Sequence, residues 1–471
     1  MIYYLFLSIY TFLIIFLTIK IWSKTKQIAF PIGIALIYYW TLLGSWFIIF
    51  DELTGQAGKN FGLHYYHFAK LMFPVHADTI YLLTLSYYAC FIIIIQLSIL
   101  FFAKSKSNTG ENEIIPININ HFLLISACVI SAIISFLLVW REILTAAKFH
   151  QSIYVITRHR PSKFFTIHQL LNEISVIALY IGLISAISGS NSKFIYGDNR
   201  KTILILYIIA VALIEFYLLL LGNKREILFG GILAVIFYFN NIRSRVNLKV
   251  LSLFLFIIIL PLIFNDGFRS YSPTFLTNYF DVSDIETPVF EKEIVYTEFT
   301  IKNSSIAFLF SNEMFCSHFS MYGVLSKNIP LTYGSSLVSF FASLIPHDLW
   351  PGRPETIYDY YFKEINAEPG QGYTIHHSTG WYLNFGIWGI ILGAMIFGFF
   401  WSWLYNRFRS LSKVRNNFLK ILFMLGISAF TAQIPTLIRT GPEGYKVMIF
   451  EALLLPALII YISTFHFKKE K

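Results

Sequence analysis

The residues best suited to chemistry lie in two short passages near the C-terminal end of this chain. One passage places Arg353 between prolines in the run from Trp350 to Pro354. Prolines restrict the backbone, so we expect the Arg353 side chain to be presented from a rigid arch. The other passage places His376 and His377 just outside an apolar run that begins at Leu383. A neutral imidazole there can take a proton from an attacking hydroxyl at pH 7, or can be a hydrogen-bonded residue at a helix entry.

Two further turns carry cations. Arg225 follows Gly222 in a turn so short that its guanidinium must lie at the mouth of a helix bundle. Arg439 and Lys446 enclose a turn that contains Gly, Pro and Glu443. A planar, always charged guanidinium suits a diphosphate, although Arg225 can equally be a snorkelling residue that marks a helix end. Glu443 is expected either to pair with a neighbouring cation or to act as a base.

The elements that must position these residues are membrane helices. The chain has 471 residues, of which 56% are hydrophobic and 13% charged, and its mean hydropathy is +0.62. Long apolar runs recur from one end to the other, which excludes a soluble enzyme with one anchor, a disordered chain and a solenoid. The net charge is +10. In a polytopic membrane protein such an excess of Lys and Arg usually lies in the cytoplasmic loops, so it does not indicate a nucleic acid partner. The three cysteines form no metal spacing, and we expect no disulfide.

The hydropathy predicts an all-α, polytopic integral membrane protein with about eleven transmembrane helices. One long extracytoplasmic loop, with interfacial or re-entrant helices, should occupy 266–382, between transmembrane regions at 1–265 and 383–471. The expected spans are Ile2 to Thr18, Ala29 to Phe50, Ile80 to Ala103, His121 to Trp140, Ile167 to Ile187, Ile203 to Leu221, Ile227 to Phe239, Val250 to Phe264, Leu383 to Tyr405, Phe418 to Ile438 and Val447 to Phe465.

Basic residues set the expected orientation. Alternate loops and the C-terminal tail are rich in Lys and Arg, which indicates that they are cytoplasmic. An odd number of spans then places the N-terminus outside. The candidate residues all fall outside, together with a basic loop that contains Arg158 and Arg160. These two arginines either meet phosphate at the outer interface or belong to an amphipathic helix neutralised by anionic lipid. Within the long loop, Ile306 to Leu325 and Leu331 to Trp350 are apolar enough to lie along the interface, to re-enter, or to cross as a hairpin.

The passage from Leu331 to Gly389 resembles the Wzy-type family of oligosaccharide repeat-unit polymerases, which serve O-antigen and enterobacterial common antigen. The similarity is carried by the run Trp350 to Pro354, by Thr332 to Ser335, and by the Tyr-Leu-Asn-Phe-Gly-Ile-Trp-Gly run from Tyr382 to Gly389. It rests further on an Arg after a small-residue turn, at Gly222 to Arg225, and on an Arg after a late span, at Arg439.

The resemblance implies a glycosyltransferase of the bacterial inner membrane, with undecaprenyl-diphosphate-linked glycans as substrates and no cofactor or metal. Arg225, Arg353 and Arg439, with Lys446, Arg158 and Arg160, would bind the diphosphate. The base would be His377, then His376, then Glu443. Trp350, Tyr373 and Trp381 would stack on sugars or merely pack at the interface. Membrane lipids, a chain-length regulator and a flippase are the implied partners, in the synthesis of O-antigen, capsule or exopolysaccharide.

Three other classes stay open. A metal-dependent lipid-phosphate-sugar transferase would want an acidic pair in an early outer loop, and the adjacent Asp51 and Glu52 are either that pair or a solvated helix cap. An O-antigen-type ligase shares nearly all of these residues. A flippase for lipid-linked oligosaccharide would use the same arginines but should show internal repeats or charges deep within spans. Glu173, Glu215 and Glu451 are the acidic residues inside the expected spans. One of them lining a pathway would favour the flippase.

Overall fold

A computed structural model describes twelve stretches of the chain, which are mostly helical. These are residues 2–54, 78–105, 119–153, 156–157, 165–188, 200–241, 252, 272–280, 314–342, 350, 352–367 and 374–465. The described residues contain no strand, only an isolated bridge between Ile375 and Thr440. Eight helical stretches among them are long and apolar enough to cross a membrane. The prediction of an all-α, polytopic membrane protein is therefore confirmed at this level.

Seventeen α-helices lie in these stretches, numbered in chain order. They are α1 Ile2–Thr25, α2 Ala29–Tyr38, α3 Gly44–Thr54, α4 Thr79–Phe102, α5 His121–Leu138, α6 Trp140–Lys148, α7 Phe165–Ser188, α8 Arg200–Leu220, α9 Lys224–Asn241, α10 Met314–Ser326, α11 Ser335–Ala342, α12 Ile357–Glu364, α13 His377–Arg409, α14 Asn417–Ala432, α15 Ile434–Arg439, α16 Gly444–Lys446 and α17 Leu455–Ile462. Short π-helices at Tyr39–Leu43 and Val447–Leu454 join α2 to α3 and α16 to α17, and 3₁₀ turns occupy Thr274–Asn278 and Leu411–Lys413.

Three of the eleven expected spans are not among the eight candidates. Ile227 to Phe239 lies within α9, whose first turn carries three charged residues. Phe418 to Ile438 is divided between α14 and α15, with Gln433 between them. Val250 to Phe264 lies outside the described residues, except for Ser252. The count of eleven therefore stays a prediction.

The two apolar segments of the long loop contain short helices. Helix α10 has 13 residues and α11 has eight, so they are about 20 and 12 Å long at 1.5 Å per residue. The described part of each helix is shorter than a ~30 Å hydrocarbon core. All eight residues of α10 from Ser317 to Val324 are buried. This stretch of α10 is thus enclosed by protein, and the interfacial, re-entrant and hairpin alternatives for the two segments stay predictions.

The chain packs as two compact units that do not follow its order. One comprises Met1–Glu111, Ile306–Leu411 and Ala429–Phe450, and the other Asn112–Ser305, Ser412–Ser428 and Glu451–Lys471. The division at 265 and 382 expected from the sequence concerns topology, whereas these units are defined by packing. The first unit contains most of the candidate site residues, and the second contains Arg225.

Helix α13 is kinked inside the first unit. Gly386 has φ 61° and ψ −144°, a conformation that essentially only glycine adopts, and Phe385 is also non-helical. The part after the kink, Ile387 to Arg409, is about 34 Å long and can span the bilayer by itself. Since the expected span began at Leu383, the observed helix starts six residues earlier, at His377. The added residues at the start of α13 include His377, Ser378 and Thr379, which are polar and buried.

Two of the motifs that carry the family resemblance meet at this kink. The Thr332 amide donates to the Leu383 carbonyl oxygen at 2.7 Å, and the Thr332 hydroxyl donates to the Asn384 side-chain oxygen at 3.2 Å. Ser336 and Asn384 also exchange hydrogen bonds through their side chains, at 2.9 and 2.7 Å. The kink releases backbone groups of α13, and the Thr332 segment satisfies one of them. The Thr332 to Ser335 and Tyr382 to Gly389 motifs therefore have a structural role, because their hydrogen bonds hold the kink in α13.

Candidate functional site

The turn from Arg439 to Lys446 forms the centre of the candidate site, in the first unit. Helix α15 ends at Arg439, and Gly441 follows in the left-handed region, with φ 69°. The Gly444 amide donates back to the Gly441 carbonyl oxygen at 3.2 Å, and the Lys446 amide donates to the Glu443 carbonyl oxygen at 3.0 Å. The left-handed residue reverses the chain between two helices, as the Gly and Pro content predicted. Arg439, Glu443 and Lys446 consequently lie on one short turn, and all three are half-buried.

Glu443 joins this turn to the end of the long loop. Its Oε1 accepts a hydrogen bond from the Ile357 backbone amide at 2.8 Å, at the first residue of α12. A carboxylate at a helix N-terminus satisfies an amide that has no partner within the helix. Burial raises the pKa of Glu443 to about 7, with a further rise from Asp359, although the Ile357 amide opposes it. Glu443 can therefore both accept and release a proton near neutral pH.

The bond from Glu443 holds the start of α12 at this turn, and Arg353 lies four residues before Ile357 in the chain. The Arg353 amide donates to the Trp350 carbonyl oxygen at 3.3 Å, which closes a turn at the Trp-Pro-Gly-Arg motif. The Thr356 hydroxyl then accepts the Asp359 amide at 3.0 Å and caps α12. The motif that held Arg353 is thus anchored at its C-terminal side.

Arg439 lies against an aromatic ring. Its guanidinium carbon is 5.0 Å from the ring centroid of Trp40, and its Nε donates to the Pro435 carbonyl oxygen at 3.2 Å. The ring stabilises the cation by a cation–π interaction, and the bond to Pro435, four residues earlier in α15, fixes the direction of the side chain. Trp40 belongs to the π-helix between α2 and α3 and was not expected at the site.

His377 is the first residue of α13 and is fully buried. Its Nδ1 lies 3.0 Å from the Leu437 carbonyl oxygen and 2.8 Å from that of Gly441. Carbonyl oxygens only accept, so Nδ1 carries the proton. Nε2 accepts the indole N–H of Trp381 at 3.1 Å. Both ring nitrogens are therefore engaged, and the lone pair that a base would use is already occupied. The expectation that His377 leads as the base does not fit this geometry.

His376 is also fully buried and caps α13. Its Nδ1 accepts the Ser378 amide at 3.1 Å, so Nε2 carries the proton and donates to the Thr41 hydroxyl at 3.0 Å. The Ser320 hydroxyl accepts the His376 amide at 3.0 Å. The second candidate base is thus also a satisfied, buried residue. Neither imidazole stands outside the helix entry as expected.

A third histidine completes this buried network. His318, on α10, donates from Nδ1 to the Thr41 carbonyl oxygen at 2.7 Å, and its Nε2 accepts from the Tyr81 hydroxyl at 3.0 Å. The Tyr88 hydroxyl donates to the His318 carbonyl oxygen at 2.7 Å. The network fixes α10 to α4 and to the Tyr39–Leu43 π-helix. Sequence reasoning missed His318, and the one available signal was a histidine within an apolar segment.

The candidate sugar-stacking residues differ in exposure. Trp350 is 40% exposed, whereas Trp381 is 4% exposed. Trp381 packs so closely on Gly393 that a Cβ added there would come within 2.4 Å of the indole. Its buried faces do not fit sugar stacking, whereas the exposure of Trp350 does. Tyr373 lies outside the described residues.

Arg225, in the second unit, is already paired. Its guanidinium nitrogen lies 3.0 Å from a Glu173 carboxylate oxygen and 3.9 Å from one of Glu451. Glu173 is 3% exposed, so separating this pair would leave a carboxylate charged in a buried site. A guanidinium held by two carboxylates is poorly suited to a diphosphate. The role expected for Arg225 therefore does not fit its surroundings. Arg158 and Arg160 lie outside the described residues.

No known family model matches this chain, and no curated protein or solved structure shows significant similarity to it. Among the described residues, no three His, Cys, Asp or Glu side chains are grouped as metal ligands would be. The expectations of a metal-free reaction and of the polymerase family stay predictions.

Proposed function

We propose that this chain is a membrane glycosyltransferase that polymerises undecaprenyl-diphosphate-linked oligosaccharide repeat units on the extracytoplasmic face of the bacterial inner membrane. One observation carries the proposal above all. The hydrogen bond from Ile357 to Glu443 joins the Arg353 motif to the turn of Arg439 and Lys446, across 86 residues of sequence. Glu443, whose pKa is about 7, thereby lies on the turn of Arg439 and Lys446 and bonds to the helix that begins four residues after Arg353.

The proposed reaction uses these groups as follows. The acceptor sugar hydroxyl attacks the anomeric carbon of the donor glycan, and the bond between that carbon and the diphosphate oxygen breaks. Glu443, in its carboxylate form, takes the hydroxyl proton. Arg353, Arg439 and Lys446 stabilise the negative charge on the leaving diphosphate. Glu443 replaces His377 as the preferred base because both nitrogens of His377 are engaged.

The buried pair of Arg225 and Glu173 bears on the flippase alternative. Charges within the helices of the second unit were the feature expected of a transporter. Glu173 is 3% exposed and paired, so it does not line an open pathway in this structure. A ligase would use the same candidate site. It differs from the polymerase only in the molecule that accepts the glycan.

Deleting the gene tests the proposed function directly. Loss of a polymerase should leave single repeat units on the cell surface, loss of a ligase should leave chain length unchanged, and loss of a flippase should trap glycan in the cytoplasm. Complementation with Arg353→Ala should fail. Lys363→Ala, which removes a 72% exposed cation on α12, should restore long chains and serves as the matched control.

Topology provides a second test. A reporter beside Arg353 should be external and a tag after Lys471 cytoplasmic, as the basic loops predict. A cytoplasmic reporter beside Arg353 would exclude the proposed site, because the repeat units are joined outside the cytoplasm.

A further inference from the structure

The surroundings of His377 suggest a different use for this side chain, and the inference rests on the proposed function. We infer that His377 is a positioning residue, which holds the Arg439 turn through its Nδ1–H, and that Trp381 selects the tautomer that makes this possible.

The two carbonyl oxygens at Nδ1 belong to residues on either side of Arg439. Leu437 lies two residues before Arg439, and Gly441 lies two residues after it. One N–H therefore spans the end of α15 and the left-handed residue that follows it. The next backbone contact in the turn is the bridge between Ile375 and Thr440, beside the start of α13. The residues on both sides of Arg439 are therefore hydrogen-bonded to His377, the first residue of α13.

Trp381 determines which nitrogen of His377 carries the proton. An indole N–H can only donate, so its bond to Nε2 requires a lone pair there. A neutral imidazole then carries its proton on Nδ1, which donates it to the two carbonyl oxygens of Leu437 and Gly441. Trp381 is itself held against Gly393, which leaves the indole little freedom to turn. His377 and Trp381 lie one helical turn apart, which explains why both are needed on α13.

Buried carbonyl oxygens that lose their donor are costly, and this gives the expected effect of a substitution. The Nδ2 of Asn is bonded to Cγ, as is Nδ1 of His, so His377→Asn can still donate to Leu437 and Gly441. The amide of Gln lies one atom further out, at the position of Nε2. His377→Asn should therefore keep turnover within about threefold of wild type, and His377→Gln should lose about tenfold or more. Neither amide can act as a base.

Hydrogen exchange of the peptide that covers 437–446 gives a readout independent of glycan chemistry. Exchange should be faster in His377→Gln than in wild type and unchanged in His377→Asn, both measured on the full chain in nanodiscs. An equal loss of turnover in both variants, with wild-type exchange in each, would overturn the positioning role and return His377 to the candidate bases.

Trp381→Phe supplies an independent variant that keeps an aromatic ring at the site. A positioning role predicts slower turnover, because the tautomer is no longer selected, whereas a base at Nε2 predicts equal or faster turnover, because its lone pair is released. Unchanged or faster turnover would overturn the inference. The exchange measurement also decides the positioning role if wild-type protein joins no repeat units at all, which would refute the proposed function instead.

Discussion

Protonation of Glu443 should control the rate of polymerisation near neutral pH. Burial and Asp359 raise its pKa to about 7, and a base works only in its ionised form. The initial rate should therefore rise with pH, reach half of its plateau at about pH 7 and level off about one unit above. At pH 6 it should be about a tenth of its plateau value, because one pH unit below the pKa leaves about a tenth of the groups ionised.

Glu443→Gln is the matched perturbation. The Gln side-chain oxygen can still accept from the Ile357 amide, so the contact that joins the turn to α12 is preserved. The rate at pH 8 should fall about a hundredfold or more, and the rise towards pH 7 should disappear. Initial rates of chain growth by purified protein, followed from about pH 5 to pH 9, provide the assay.

Asp359→Asn serves as the graded control. Its carboxylate opposes ionisation of Glu443, so removing that charge should lower the pKa of Glu443 and move the rise in rate to lower pH. A Glu443→Gln variant with the wild-type rate and pH profile would refute the assignment of Glu443 as the base. An unshifted profile in Asp359→Asn would show that the rise belongs to another group.

Three more outcomes follow from the structure. Arg439→Lys should not restore the polymerisation lost in Arg439→Ala, because an ammonium cannot reproduce the bidentate fork, and equal rates in Lys variant and wild type would reduce Arg439 to a generic charge. Gly386→Ala should destabilise the protein by about 1 to 3 kcal/mol in thermal unfolding, since the kink requires a glycine conformation, and an unchanged melting temperature would contradict the kink. Arg225→Ala should cost about 3 to 5 kcal/mol by leaving the buried Glu173 carboxylate unpaired, and adding Glu173→Gln should restore much of that stability if pairing is the main role of Arg225.

The membrane helices could be predicted because hydropathy over about 20 residues reports burial in hydrocarbon directly. The start of α13 could not. Hydropathy stops at polar residues, whereas His376, His377 and Asn384 are buried with hydrogen-bond partners supplied by other segments. The position of the kink could not be predicted either, because Gly386 lies in an apolar run that contains several other glycines, and those are helical.

The candidate site shows the same division. The turn with Arg439 and Glu443 was predictable, because Gly and Pro encode the chain reversal locally. The partner of Glu443 is the backbone amide of Ile357, a group that every residue except proline possesses, so no residue type marks it. The ion pair of Arg225 could not be predicted for a related reason. Its carboxylate partner, Glu173, is 52 residues away, and only tertiary packing brings them together.

Chain growth from a defined lipid-linked repeat unit is the most direct test of the central claim. Purified protein in nanodiscs, supplied only with undecaprenyl-diphosphate-linked repeat units, should produce a ladder of longer glycans and release one undecaprenyl diphosphate for each bond formed. The ladder should be absent with Arg353→Ala and present with Lys363→Ala. Repeat units that stay single under conditions where the Lys363→Ala and wild-type proteins are folded, or that are transferred only to a different acceptor, would contradict the account.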